Sequence, residues 1–249
     1  MNRSRVMVGI AGLAVLVMTA TLAGAQTEEV KEKPQLYTYV WSWAFPRTHW
    51  GEVDKDNATG KQKILAPALA DGTLVGYGDD EEQSAEGFTH VIWWQANSIV
   101  GLMKVLEAFH KGGDSSSPPL VSPTKHWDQV FVSHFYNRKA GSWKGAYGYT
   151  STYKLKPDAP DDAVRRLSSL LVPLFEKLLA DGRIVEYEID RESVHNTDSR
   201  PQLVFLTPSA EHLDKLNAAI DAAIDENPLI GSALASMTVN WVRVSAIYK

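Results

Sequence analysis

Leu69 to Glu82 reads LADGTLVGYGDDEE, and Leu179 to Glu192 reads LADGRIVEYEIDRE. The two stretches share Leu, Ala, Asp, Gly, Val, Tyr, Asp and Glu in one register, 110 residues apart. Upstream, Tyr37 and Tyr39 answer to Tyr147 and Tyr149 at the same offset. Downstream the match continues after slips of one and two residues. Ser98, Leu102 and Lys104 meet Ser209, Leu213 and Lys215, and Val130, Val132, Ser133 and Tyr136 meet Val242, Val244, Ser245 and Tyr248. Self-similarity at a fixed spacing decides architecture before any motif does. The chain therefore reads as two copies of one unit, 37–136 and 147–249, joined by a linker over 137–146.

Each of these stretches is a helix end followed by a strand. Asp71-Gly72 and Asp181-Gly182 stop helices, because glycine accepts the left-handed conformation at a helix C-terminus. Before the second stop, Val164, Leu167, Leu171, Leu174, Phe175 and Leu178 recur at helical spacing, so a helix is expected over 161–179. The first copy is expected to match it over 50–69, on the strength of the second. Aromatic and β-branched runs predict strands over 37–43, 73–79, 89–94 and 129–136, and over 183–190, 202–206 and 239–247. Second helices are expected over 98–109 and 209–224, the latter announced by Thr207, Pro208 and Ser209. The order is βαββαβ, twice. With right-handed crossovers it gives an antiparallel four-stranded sheet with both helices on one face, a ferredoxin-like α+β unit. Each sheet keeps a bare face, and two sheets packed face to face cover each other.

Bulk properties narrow the function. Arg3 and Arg5, an apolar run over 6–22 and Ala23-Gly24-Ala25 form a secretory signal pattern with cleavage expected after Ala25. A charged, flexible lead-in is expected over 26–36. Secretion or a periplasmic location follows as the expectation. The chain has no cysteine, which excludes disulfides, thiolate nucleophiles and Cys-ligated metals. Without the two signal arginines, 23 basic side chains stand against 30 acidic ones, a net charge of about −7. That balance offers no electrostatic handle for nucleic acid or an anionic membrane.

The duplicated βαββαβ order over residues 37–248 resembles the dimeric α/β-barrel superfamily in its single-chain, tandem form. The resemblance implies one barrel made from two ferredoxin-like halves, with a site between a sheet and its helices or inside the barrel. Members include cofactor-independent, quinone-forming monooxygenases, haem enzymes of the chlorite-dismutase type, and proteins without known chemistry. Fold alone does not choose among them.

Positions where the copies differ in kind point to a site. Alternation puts Tyr39, Trp41 and Trp43 on one strand face, where the second copy has Tyr149, Ser151 and Tyr153. The first copy adds Trp93, and offers Gly76 and Gly78 where the second has Glu186 and Glu188. Large rings opposite missing side chains mean either rings that plug a gap or a pocket lined by them. Glu186, Glu188 and Asp190 share one strand face; turned inward they offer paired carboxylates for acid–base work or a partner for Arg243, and otherwise they form a solvated face. His134 stands where the second copy has Ala246. No histidine pair has zinc-ligand spacing, and there is no GxSxG, GxxxxGK[ST] or GxGxxG motif.

The resulting expectation is a small, partly aromatic ligand bound in the barrel of the first copy. Tyr39, Trp41, Trp43, Gly76, Trp93, Glu186 and Glu188 would bind it, with His134 and Arg243 as the catalytic pair if the protein is a monooxygenase-like oxidoreductase. No cofactor and no metal are expected on this reading. The alternatives are a haem-binding oxidase resembling chlorite dismutase and a non-catalytic structural or interaction module in which the rings only pack. As sheet stacking within one chain needs no second copy, a monomer is as compatible as a homo-oligomer.

Overall fold

The computed structural model describes residues 31–82, 87–111, 123–194, 201–235 and 237–247. The expected signal pattern lies outside them. The chain runs β1 (Leu36–Ala44), α1 (Trp50–Asp56), a π-helical turn (Asn57–Lys61), α2 (Gln62–Ala70), β2 (Gly76–Glu82), β3 (His90–Ala96), α3 (Ile99–Lys111) and β4 (Lys125–Arg138). The second half follows with β5 (Tyr147–Leu155), α4 (Ala163–Ala180), β6 (Glu186–Val194), β7 (Pro201–Thr207), α5 (Ala210–Glu226), α6 (Pro228–Ala235) and β8 (Met237–Ile247). No helix of the described residues is long and apolar enough to cross a membrane.

The two Asp-Gly stops act as expected. Gly72 and Gly182 follow their helices with φ of 78° and 74°, a region in which side chains with a Cβ are strained. The strands begin three residues later than expected, at Gly76 and Glu186. The intervening residues still join the sheet through single bonds, Val75 N to Gln95 O and Val185 N to Leu206 O, both 2.8 Å.

All eight strands close into one antiparallel barrel, in the order β1-β3-β2-β8-β5-β7-β6-β4. Each half contributes the ferredoxin-like order, β4-β1-β3-β2 and β8-β5-β7-β6. The halves are joined by their edges, β2 to β8 and β4 to β6, as well as facing each other across the lumen. Edge joining removes the unpaired strand edges that two merely stacked sheets would leave.

The helices lie outside the barrel and make two separate cores. In the first half Leu65 of α2 and Leu102, Val105 and Phe109 of α3 pack on Tyr39, Trp43, Ile92 and Trp94. In the second, Leu167, Leu171 and Phe175 of α4, Leu216 of α5 and Ile230 of α6 pack on Tyr187, Ile189, Leu203 and Phe205. Strand alternation then sends the intervening residues into the lumen, where Val40, Val91 and Phe131 cluster with Trp93.

Candidate functional site

Tyr39, Trp41 and Trp43 turn away from the lumen, toward the helices, whereas Trp93 turns inward. The expectation that these four rings line one space is corrected by the geometry: they occupy opposite faces of the sheet. Tyr39 stacks on Trp94 at 4.5 Å between ring centres, and Trp41 touches Trp43 at 4.4 Å, Phe109 at 5.4 Å and Trp94 at 5.9 Å. Lys61, delivered by the π-helical turn, sets its ammonium 4.3 Å above the Trp43 ring. The space between sheet and helices in the first half is thus filled by its own side chains.

In the second half the same space is open. Tyr149, Ser151 and Tyr153 of β5, Leu203 and Phe205 of β7, Leu171 and Phe175 of α4, Asn217, Ile220 and Asp221 of α5 and Leu234 of α6 enclose a cavity of about 150 Å³. Ser151 occupies the position of Trp41, and Ile220 that of Phe109, so two of the rings that fill the first half are missing. Ser151 is buried at the floor, while Asn217 and Asp221 are exposed at the mouth. Burial raises the Tyr153 hydroxyl above its ordinary range, so it remains a proton donor at neutral pH.

The lumen holds a third, more polar arrangement. Thr38, Val40, Asp80, Trp93, Gln95, Thr150, Glu186, Glu188, Asp190, Gln202, Val204 and Leu206 line a chamber of about 60 Å³. The acidic face of β6 therefore points inward, so it is not a solvated face. Gly76 and Gly78 are required by what crosses them. A Cβ on Gly78 would collide with the Trp93 ring, and one on Gly76 with the Arg138 guanidinium. Trp93 Nε1 donates to Asp80 at 3.2 Å, and Arg138 stands 3.8 Å from Glu186. Gln95 Nε2 donates to both Glu188 and Thr38. Burial first, then the neighbouring charge of Asp190, pushes Glu188 up to about 7; burial likewise pushes Asp190 up to about 7.

The remaining candidates lie elsewhere. His134 falls at a bulge where the β4–β6 register shifts between Ser133 and Phe135. Its ring is 3.5 Å from Gln35 Nε2 and 3.8 Å from Glu32, on the surface, so it faces neither cavity. Arg243 pairs through its backbone with Thr150, and its side chain lies outside the described residues. Sequence reasoning passed over a polar group under the π-helical turn. There Asn57 donates to Asp79 at 2.9 Å, Lys61 donates to Asn57, and buried His90 meets Asp54 at 3.2 Å. Burial and the charge of Asp80 push Asp79 up to about 7. The only sequence signal was Lys61 itself, a charge at the offset of apolar Leu171.

A haem does not fit these spaces. A four-pyrrole macrocycle is several rings across, whereas the open sheet–helix cavity is the size of one ring and the lumenal chamber is smaller still. Among the described residues no group of three or more His, Asp or Glu side chains is arranged to hold a metal ion.

No family model and no curated protein matches the chain. Solved structures do. A supposed monooxygenase from Fusobacterium nucleatum is similar over 87% of this chain and 92% of its own, with a TM-score of 0.61 and 7% identity. A supposed monooxygenase from Lactobacillus acidophilus is similar over 86% and 93%, with a TM-score of 0.57 and 10% identity. A chlorite dismutase from Candidatus Nitrospira defluvii is similar over 86% and 91%, with a TM-score of 0.53 and 8% identity. The fold is that of the dimeric α/β-barrel proteins, and here one chain supplies both halves of the barrel.

Proposed function

We propose that the protein binds a small aromatic molecule, one ring in size, in the sheet–helix cavity of its second half. The observation that carries this reading is the exchange of Trp41 for Ser151 between equivalent positions: the same scaffold is plugged by its own indole in one half and left open in the other. A space of about 150 Å³ is the size that holds a benzene ring. Phe175, Leu203 and Phe205 would sandwich the ring, and Ser151 and Tyr153 at the floor favour a ligand that carries a hydroxyl.

Asp221 gives the cavity an oxidative reading as well. It is the one carboxylate among the lining side chains, placed to take a proton from a bound hydroquinone. A hydroquinone that passes two electrons and two protons to O2 leaves as quinone, with H2O2 as the second product. The signal pattern of the sequence adds the proposal that this happens outside the cytoplasm. A mature mass corresponding to a start at Gln26, in protein recovered from the periplasm or medium, is the check.

Titration of the intrinsic fluorescence with phenol, catechol and hydroquinone tests the reading. Saturable binding is expected in the wild type, at least tenfold weaker in Ser151→Trp, which rebuilds the first-half plug. Equal affinity in Ser151→Trp, with the fold intact by circular dichroism, would rule the cavity out as the binding site. Oxygen uptake with hydroquinone, lowered in Asp221→Asn while binding persists, separates the oxidase from a simple binder.

A further inference from the structure

The lumenal chamber is built for a different ligand from the sheet–helix cavity. The first-half wall carries Val40, Gln95 and the Trp93 ring, and the second-half wall carries Glu188 and Asp190 beside Val204 and Leu206. Gln95 and Asp190 are each only 2% exposed. Among the described residues, Gln95 Oε1 and Asp190 Oδ1 have no hydrogen-bond partner. The Gln95 amide has its orientation fixed, because its nitrogen is already spent on Thr38 and Glu188. What the chamber leaves over is thus acceptor capacity beside buried carboxylate. A buried acceptor without a partner is destabilising, and a ligand bringing N–H donors and positive charge relieves that cost.

We infer that the barrel lumen is a binding site for a small primary ammonium, ammonium itself or a short alkylammonium. Its N–H groups donate to Asp190 Oδ1 and Gln95 Oε1, its charge is balanced by Glu188 and Asp190, and its alkyl end lies against Val40, Val204 and Leu206. The Trp93 ring adds a π-face toward the same charge. A chamber of about 60 Å³ limits the ligand to a few heavy atoms. A divalent metal is the poorer occupant, since the two unpartnered acceptors fall short of the roughly six to eight oxygens that calcium takes, and among the described residues no group of three or more acidic or histidine side chains is arranged to hold one. The site is independent of the aromatic cavity, which opens on the other face of the sheet.

Calorimetric titration of the full chain at pH 8 with ethylammonium chloride tests the assignment. Saturable binding is expected, at least tenfold tighter than that of ethanol, which has the size without the charge, and of tetramethylammonium, which has the charge without N–H donors. Asp190→Asn should weaken ethylammonium binding at least tenfold, and Ser151→Trp should leave it unchanged. Failure to saturate, equal affinity for tetramethylammonium, or equal displacement by calcium would overturn the site. The ligand series is read on the wild type, so the outcome does not depend on any variant folding.

Discussion

Trp93 and Gly78 account for much of the lumen at the scale of single residues. The indole crosses the strand where β2 has no side chain, and its nitrogen turns to Asp80. Facing them across the barrel, Glu186 and Glu188 occupy the second-half equivalents of Gly76 and Gly78, so one half supplies the ring and the other the acid. Glu188 and Asp190 hold their protons up to about pH 7 in the fold, well above the ordinary carboxylate range that applies in the unfolded chain. The folded state therefore binds more protons between about pH 4 and 7, and stability falls as pH rises through that window before levelling off. The expected outcome is a melting temperature lower by roughly 5 °C or more at pH 8 than at pH 5, with most of that slope removed in a Glu188→Gln, Asp190→Asn double variant. Thermal scans across pH, monitored by circular dichroism, are the measurement. The sequence already set Trp93 beside the missing side chains of Gly76 and Gly78, because all three are positions where the copies differ in kind. It placed Tyr39, Trp41 and Trp43 with them wrongly, since alternation separates the two faces of a strand without saying which one meets the helices.

Between residue and molecule stand the elements, and the π-helical turn over Asn57–Lys61 is the one the sequence did not announce. Periodicity over 50–69 was weak because the turn breaks the 3.6-residue repeat between α1 and α2. Its effect is to bury Asn57 and Lys61, at 1% and 7% exposure, between the helices and Trp43. The lysine is held by Asn57 and by the indole face, and its charge lowers the cost of ionising Asp79. Lys61→Met is expected to cost about 2–4 kcal/mol, because it strips charge compensation from a buried group and keeps the volume. A lower urea midpoint with an unchanged slope, together with a shift in tryptophan emission, is the anticipated result. The same weakness of local signal hid α6, whose short apolar run has no counterpart in the first half. By contrast α4 was legible from its apolar spacing, and both glycine stops were legible from the chemistry of a positive φ.

For the whole molecule, the legible part was the order of elements and the illegible part was how the halves meet. Strand order within each half follows from crossover handedness, but pairing between halves depends on edges that carry no distinctive residues. The β4–β6 seam runs from Val130 opposite Val194 to Arg138 opposite Glu186, whereas among the described residues β2–β8 pairs only Asp80, Glu81 and Glu82 with Ile247, Ala246 and Ser245. Each seam can part without the other, and the β4–β6 ladder, paired along 130–138, is expected to be the last to open. Amide hydrogen exchange is expected to show this as protection of Phe131, Val132 and Ile189 that outlasts that of Glu81 and Ala246 by at least tenfold under native conditions. Equal protection of the two seams would mean that the barrel opens as one cooperative unit. The β2–β8 seam matters for the lumenal chamber, because Asp80 lies both on its wall and in that seam. A small ammonium that gains access by separation of β2 from β8 would slow exchange at Glu81 and Ala246 when bound, and leave the β4–β6 amides as they were.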